Sequence, residues 1–402
     1  MKSQKHIVLL GDGMADDPIE ELGGVTPLQY AKTPNMDEIA SGGVSGLVST
    51  VPEGFEPGSD VANMSIMGYD PAEFYTGRAP IEAASMGIEL SPTDIAFRMN
   101  LVTLSDDGGS RRMVDYSSGR ITTEESTRIV EYIEREFGSH EFSFYPGKSY
   151  RHIMVWKNGV GGIVTTPPHD ISDEEIGTYL PHGNGAGRIL KLMRDSQREL
   201  PGHPVNMARV SKGEKPANSL WFWGQGTRPT LPQFSERFGI GRGAVVSAVD
   251  LVQGLGVLMD LSVIKVEGAT GWIDTNYAGK VEAALNALSS GADFVYLHVE
   301  APDEAGHEGD AAIKVRAIEE FDKNIVGPVL LGLKKFDKYR VLLMPDHRTP
   351  VRLKTHDTEP VPFSFFGDGF KSNGVADFSE SACGKTGLFV DRGSALMGRL
   401  FG

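Results

Sequence analysis

The chain has a single cysteine, Cys383, among 402 residues. An internal disulfide is therefore excluded, and the composition suits a reducing, cytoplasmic compartment. Positive charge is also scarce: 39 Lys and Arg stand against 54 Asp and Glu, a formal net charge of -15. That balance argues against a nucleic-acid binder, which would present a basic face. It leaves anion binding open wherever arginines gather locally. No apolar run is long enough to span a bilayer. The N-terminal run His6 to Leu10 is too short for a signal peptide and meets acidic residues at once. No internal repeat or low-complexity segment stands out. The glycines of GDGMADD are not followed by the lysine of a GxxxxGK(S/T) phosphate loop, and Asp12 among them would repel a bare phosphate.

A chain of this length exceeds what one hydrophobic core usually serves, so two domains are expected. With 40% hydrophobic residues and 49 glycines, it reads as a loop-rich α/β protein. His6 to Leu10 is a continuous apolar run of the kind buried in a parallel sheet, and residues 243–249, 262–268, Phe294 to Val299 and 340–347 read as further strands. Helices are expected from Pro34, after Ser59, over 250–259 and 278–291, and as one long helix over 314–336. Between about 92 and 228 the texture changes to polar turns and scattered arginines, including Arg98 and Arg151. We therefore expect residues 1–91 and 229–402 to form two parts of one domain, with 92–228 as an inserted α+β cap.

The chemistry-bearing residues follow the apolar runs. Asp12 comes after the first, and Asp303 and His307 lie in what reads as a loop beyond Val299. Asp346 and His347 end another run, and His356 is nine residues further on. The carboxyl ends of parallel strands gather along one edge of an open sheet, so these distant residues can converge there. Carboxylate and imidazole ligands in this number suit two divalent ions sharing a phosphate. Ser59 opens a helix, where on position alone it reads as an N-cap. Its functional reading is a nucleophile whose hydroxyl is activated by metal. In the middle segment, Arg151 with His152 is the best candidate for gripping an anion, by the fork of donors that arginine offers.

The motifs GDGMAD, PGSDVANMSIMGYDP, YTGRAPIEAASMGI, ATGWIDTNYAGK, EAPDEAGH and MPDH together resemble the cofactor-independent phosphoglycerate mutases of archaeal type, in the alkaline phosphatase superfamily. The similarity extends over essentially the whole chain. It implies an alkaline-phosphatase-like, mostly parallel sheet flanked by helices, and two divalent cations, manganese first, with magnesium, zinc or cobalt as alternatives. By that resemblance one cation takes Asp303, His307 and His356, and the other takes Asp12, Ser59, Asp346 and His347. Ser59 becomes the phosphorylated nucleophile and Lys280 the cation beside the phosphoryl group. Arg78, Arg151, His152 and His169 bind substrate, and Asp170 or His169 shuttles a proton between hydroxyls. Ala79 stands where the family usually has glycine. The implied reaction interconverts 3-phosphoglycerate and 2-phosphoglycerate through phospho-Ser59. TPPHDI, YRHIMVW and WFWGQG also resemble a bacterial branch proposed to act as homoserine kinase, so ATP-dependent phosphorylation of homoserine on the same metal site is the alternative. The partner in either case is a small phosphorylated substrate, without nucleic acid or membrane.

Overall fold

The computed structural model describes residues 4–105 and 110–402. Among them no helix is long and apolar enough to cross a membrane. The chain divides into two compact units, 1–75 with 230–402, and 76–229. The second unit thus begins at Thr76 rather than 92, and takes the helix Arg78–Ser85 with it.

The first unit is built on an eight-stranded sheet in the order Ser262–Ile264, Gly243–Val246, Phe294–Val299, Lys5–Gly11, Tyr339–Met344, Val361–Gly367, Val44–Val48 and Phe389–Val390. The first five strands run parallel. Val361–Gly367 is antiparallel to both its neighbours, and Phe389–Val390 runs parallel to Val44–Val48. Lys5–Gly11 and Phe294–Val299 are buried along their whole length, as a central strand covered by helices on both faces must be. Their register aligns Gly11 with Val299, and Leu10 with Met344 of the next strand. Three strands therefore end level with one another, and the residues just beyond them emerge at one sheet edge. The helices Pro34–Gly42, Tyr277–Ser289 and Ala311–Phe321 supply Met36, Ile39, Val281, Ala284, Val315 and Ile318 to the core beneath.

Two expectations change here. Asp303 and His307 lie on a helix, Ala301–Glu308, and not in a loop. Its Pro302 falls in the first turn, where the missing N–H costs no hydrogen bond, and Gly309 closes it in the left-handed conformation. The long helix expected over 314–336 is broken into Ala311–Phe321, a π-helical turn Asp322–Val326, and Gly327–Leu333. The turn presents the Asp322 carboxylate to Met36 N–H at 2.7 Å and to Asn35 Nδ2 at 2.7 Å. It thereby caps the helix Pro34–Gly42 from outside.

The second unit is an antiparallel sheet around the ten-residue strand Ile95–Leu104, which pairs with Arg151–Trp156 on one side and Ser219–Gly226 on the other. Phe142–Tyr145 extends it beyond Arg151–Trp156. Phe97, Met99, Leu101 and Met154 join a core with Ile129, Ile133, Ile189 and Met193 of the helices Thr123–Phe137 and Ala186–Glu199. On the other face Ala96, Ile153 and Val155 pack against Ala79 and Ala83 of Arg78–Ser85. That helix can approach because Gly77 and Gly226 carry no side chains. A Cβ on Gly77, whose φ is +142°, would meet the Gln225 carbonyl oxygen at 2.2 Å.

Candidate active site

Asp12, Asp303 and Asp346 stand at the shared strand edge, and each is at most 5% exposed. His307 Nε2 lies 3.2 Å from Asp303 Oδ2 and 3.1 Å from His356 Nε2, while His356 Nε2 is 3.4 Å from Asp303 Oδ1. These three side chains converge as the sequence reading expected. The i,i+4 spacing of Asp303 and His307 puts both on one helix face. His347 Nε2 is 3.1 Å from Ser59 Oγ, 3.4 Å from Asp12 Oδ1 and 3.5 Å from Asp346 Oδ2, so the second expected set converges too. The sets adjoin, with the His347 and His356 rings 4.1 Å apart. Two trios, Asp303 with His347 and His356, and Asp12 with His298 and Asp346, each bring their ligand atoms within 4.8 Å of one another. In the second trio His298 Nε2 is already engaged with Asp12 Oδ2 at 2.9 Å.

Ser59 is the first residue of the helix Ser59–Ile66, and Gly58 occupies the N-cap position. Ser59 is thus not the cap, and its hydroxyl is left to His347. One turn on, Asn63 donates to the Ser59 carbonyl at 2.8 Å and to Asp346 Oδ2 at 2.7 Å, and it accepts from Tyr296 OH at 2.6 Å. Asp346 Oδ1 accepts from the backbone N–H groups of Gly13 and His347. Thr349 Oγ1 donates to Asp303 Oδ1. Gly13, at φ +60°, passes so close to Asp303 that a Cβ would sit 2.8 Å from its Cα. The loops that carry Asp12 and Asp346 are therefore bonded to each other and to the helix Ser59–Ile66, and Thr349 ties the same region to Asp303.

The electrostatics match a cation site. Burial, then the neighbouring Asp346 and Asp303, holds the Asp12 carboxyl well above its ordinary range. Burial disfavours charge on Asp303 and on His307. The hydrogen bonds between them outweigh it, holding Asp303 well below its ordinary range and raising His307 to about 9. Burial lowers His347 to about 4. Asp12 Oδ1 is buried without a hydrogen-bond partner, and an orphaned carboxylate oxygen beside two more carboxylates calls for positive charge. The mixed carboxylate and imidazole donors fit divalent cations. Lys280, on the helix Tyr277–Ser289, is fully buried and donates to the His298 carbonyl at 3.1 Å. Burial, partly offset by Glu300, lowers its ammonium to about 8.

In the second unit, Arg78 Nε and Arg98 Nε hold the two oxygens of Glu82 at 3.0 and 2.9 Å. Burial opposes the Glu82 charge, but Arg98 and Arg78 outweigh it, and its carboxyl lies below the ordinary range. The Arg98 guanidinium stacks 4.0 Å from the Trp223 ring, whose indole N–H donates to Asn100 Oδ1 at 3.0 Å. His169 meets the same indole at 5.1 Å between centroids, and its Nε2 lies 3.6 Å from Asp170 Oδ1. Arg151 pairs across the strands with Asn100 and is exposed. Arg78, Arg151 and His169 thus border one polar face, joined by Arg98, Asn100 and Trp223, to which the sequence reading gave no role. His152 does not belong to it. Adjacent strand residues point to opposite faces, so His152 enters the core beside Met99, accepting from Gly147 N–H at 2.9 Å, and burial lowers it to about 3.

The other residue missed is His298, behind Asp12. Its signal was an imidazole inside the otherwise apolar strand FVYLHV.

The model of the family described as 2,3-bisphosphoglycerate-independent phosphoglycerate mutase matches residues 40–206. A probable enzyme of that name from Geobacter sulfurreducens is 56% identical over 394 residues, 98% of each chain. One from Methanothrix thermoacetophila is 52% identical over 394 residues, again 98% of each. Among solved structures, a protein from Pyrococcus horikoshii is 32% identical with a TM-score of 0.84, over 100% of this chain and 98% of that one. The cofactor-independent phosphoglycerate mutase of Thermoplasma acidophilum is 27% identical with a TM-score of 0.66, over 100% and 99%. The chain belongs to the 2,3-bisphosphoglycerate-independent phosphoglycerate mutase family.

Proposed function

We propose that this protein interconverts 3-phosphoglycerate and 2-phosphoglycerate through a phosphoserine at Ser59, with a two-cation site in the first unit. The observation that carries the reading is the convergence of Ser59 Oγ and His347 Nε2, 3.1 Å apart, beside the orphaned Asp12 Oδ1. One cation is held by Asp303, His307 and His356, and the other by Asp12, Ser59, Asp346 and His347. Manganese is the proposed ion, with magnesium, zinc or cobalt as alternatives. When bound, such a pair neutralises the charge that develops in an in-line displacement at phosphorus.

The Ser59 hydroxyl is ionised when the cations are bound, and Ser59 Oγ, as the alkoxide, attacks the phosphorus of the substrate. The bond from phosphorus to O3 of glycerate breaks, and O3 takes its proton from Asp170 or His169. The glycerate then returns its O2 to phospho-Ser59, which restores the serine and releases 2-phosphoglycerate. Lys280 contributes positive charge near the reacting phosphoryl group. The inserted unit is the substrate cap, and Arg78, Arg151 and His169 on its polar face bind the glycerate. Asp170 or His169 moves the proton between the two hydroxyls. His152, buried on the other sheet face, is given a structural role instead. The cytoplasm is the proposed compartment. The matched relatives are named as mutases, which favours this reading over the ATP-dependent homoserine kinase.

The test is a pair of assays on purified protein loaded with Mn²⁺. Production of 2-phosphoglycerate from 3-phosphoglycerate, followed by coupling to enolase, is expected. Turnover of ATP with homoserine, and none with 3-phosphoglycerate, would overturn the substrate while leaving Ser59 and the cation site standing.

A further inference from the structure

Behind the Asp12 carboxylate stands a histidine that the proposed chemistry does not use. His298, in the strand Phe294–Val299, is 0% exposed. Its Nε2 lies 2.9 Å from Asp12 Oδ2, and its Nδ1 lies 3.2 Å from Ser247 Oγ. Ser247, just beyond the strand Gly243–Val246, is itself fixed. Its Oγ accepts the Val249 N–H at 3.0 Å, and its carbonyl accepts from Gln253 Nε2 at 2.8 Å. A neutral imidazole has one donor and one acceptor nitrogen, and a hydroxyl has one proton to give. Since Val249 occupies a lone pair of Ser247 Oγ, the hydroxyl proton is free for Nδ1. With a divalent cation on Oδ1 the Asp12 carboxyl is ionised, and Nε2 then carries the ring proton and donates it to Oδ2. The opposite tautomer would set a nitrogen lone pair against that carboxylate oxygen in a dry interior. The other oxygen, Asp12 Oδ1, has no hydrogen-bond partner and faces His347 Nε2 at 3.4 Å.

We infer that Ser247 and His298 form a positioning relay for Asp12: Ser247 sets the His298 tautomer, and the Nε2–H of His298 holds Oδ2 so that Oδ1 is presented to a divalent cation. Such outer partners orient metal ligands, and their loss typically costs about 10–100-fold in metal affinity. The inference rests on the two-cation reading, in which Asp12 is a ligand.

Two measurements test it on the full chain. In Zn²⁺-loaded protein labelled with ¹⁵N-histidine, the His298 ring, assigned by its loss in His298→Gln, is expected as the Nε2–H tautomer. Ser247→Ala should shift it towards the other form. In Mn²⁺ titration calorimetry the wild type should bind two ions. Ser247→Ala should weaken one of them by about 10-fold or more and leave the other unchanged. His298→Gln, whose amide retains a donor for Asp12, should keep most of the affinity that His298→Leu loses. A wild-type ring protonated on Nδ1 or on both nitrogens would overturn the relay. So would Ser247→Ala protein with wild-type affinity at both sites. A wild type that binds fewer than two Mn²⁺ would overturn the cation site instead, and the tautomer shift in Ser247→Ala would then decide the relay alone.

Discussion

Ser59 Oγ and His347 Nε2 lie 3.1 Å apart across 288 residues of sequence. The contact exists because the helix Ser59–Ile66 starts one residue after its cap, Gly58, which leaves the serine hydroxyl free of capping duty. Asn63, a turn later, donates both to the Ser59 carbonyl and to Asp346, so the start of this helix is tied to the loop that carries Asp346.

The first prediction concerns that hydroxyl. Ser59→Ala should abolish the phosphoenzyme and lower turnover by at least about 10³-fold, as loss of a covalent nucleophile does. The fold should persist, since no cap is lost. Mass spectrometry of protein quenched during turnover should find phosphate on Ser59 in the wild type and none in the variant. Near-normal turnover by the variant would remove Ser59 from the mechanism.

Arg151 gives a test of the polar face that leaves folding undisturbed, because its side chain is exposed. A charge-assisted hydrogen bond to a bound anion is worth about 1.5–3 kcal/mol. Arg151→Ala should therefore raise KM by roughly 10- to 100-fold. Arg151→Lys should recover only part of this, since a point charge lacks the planar fork of donors. Steady-state kinetics on 3-phosphoglycerate checks it, and an unchanged KM would take Arg151 off the substrate.

These two tests also divide what was legible in the sequence from what was not. Asp12 and Asp346 were legible because each follows a continuous apolar run, and such runs end at one sheet edge. The helix bearing Asp303 and His307 was hidden by Pro302 and Gly306, which read as loop signals although a first-turn proline is well tolerated. Arg98 and Asn100 were hidden the other way. They interrupt the hydrophobicity of Ile95–Leu104, so its longest strand went unread in the second unit. His152 is adjacent to Arg151 in sequence, but strand periodicity puts its side chain on the opposite sheet face, a separation that adjacency alone does not reveal. Arg78–Ser85 shows no change of texture, so sequence could not mark the unit boundary at Thr76.

His152 makes stability depend on pH. It is 2% exposed, and burial lowers it from 6.5 to about 3. Below pH 6.5 the unfolded chain binds a proton there that the folded chain does not. The folded state therefore loses stability as pH falls from 6.5 towards 3, by on the order of 5 kcal/mol in total. His152→Asn keeps an acceptor for Gly147 N–H but does not titrate. It should be less stable than wild type at pH 7, with the gap closing as pH approaches 4. Trp156, Trp221 and Trp223 lie in the same unit, so urea unfolding followed by tryptophan fluorescence at pH 7, 6 and 5 checks this. Parallel pH profiles for the two proteins would refute it.

Lys314 offers the strictest test of how the ligand loops are held. It is 0% exposed, and its ammonium donates to Asp16 Oδ2 at 2.7 Å, the Thr349 carbonyl at 2.8 Å and the Ala15 carbonyl at 3.2 Å. All three protons are used, and they join the loop after Asp12 to the loop after His347. Burial alone would expel the charge, and it does lower the Lys314 pKa. The pair persists because every donor is matched. Lys314→Met should cost about 3–5 kcal/mol, most of it from stranding the Asp16 carboxylate in a dry interior. Adding Asp16→Asn removes the stranded charge, so the double variant should be more stable than Lys314→Met alone. Mn²⁺ affinity should remain low in both, because the two loops are no longer tied. Denaturant midpoints measure the first effect and calorimetry the second. If the double variant regains stability and metal affinity together, the ion pair is dispensable and the loops are held by the Gly13 N–H to Asp346 bond instead.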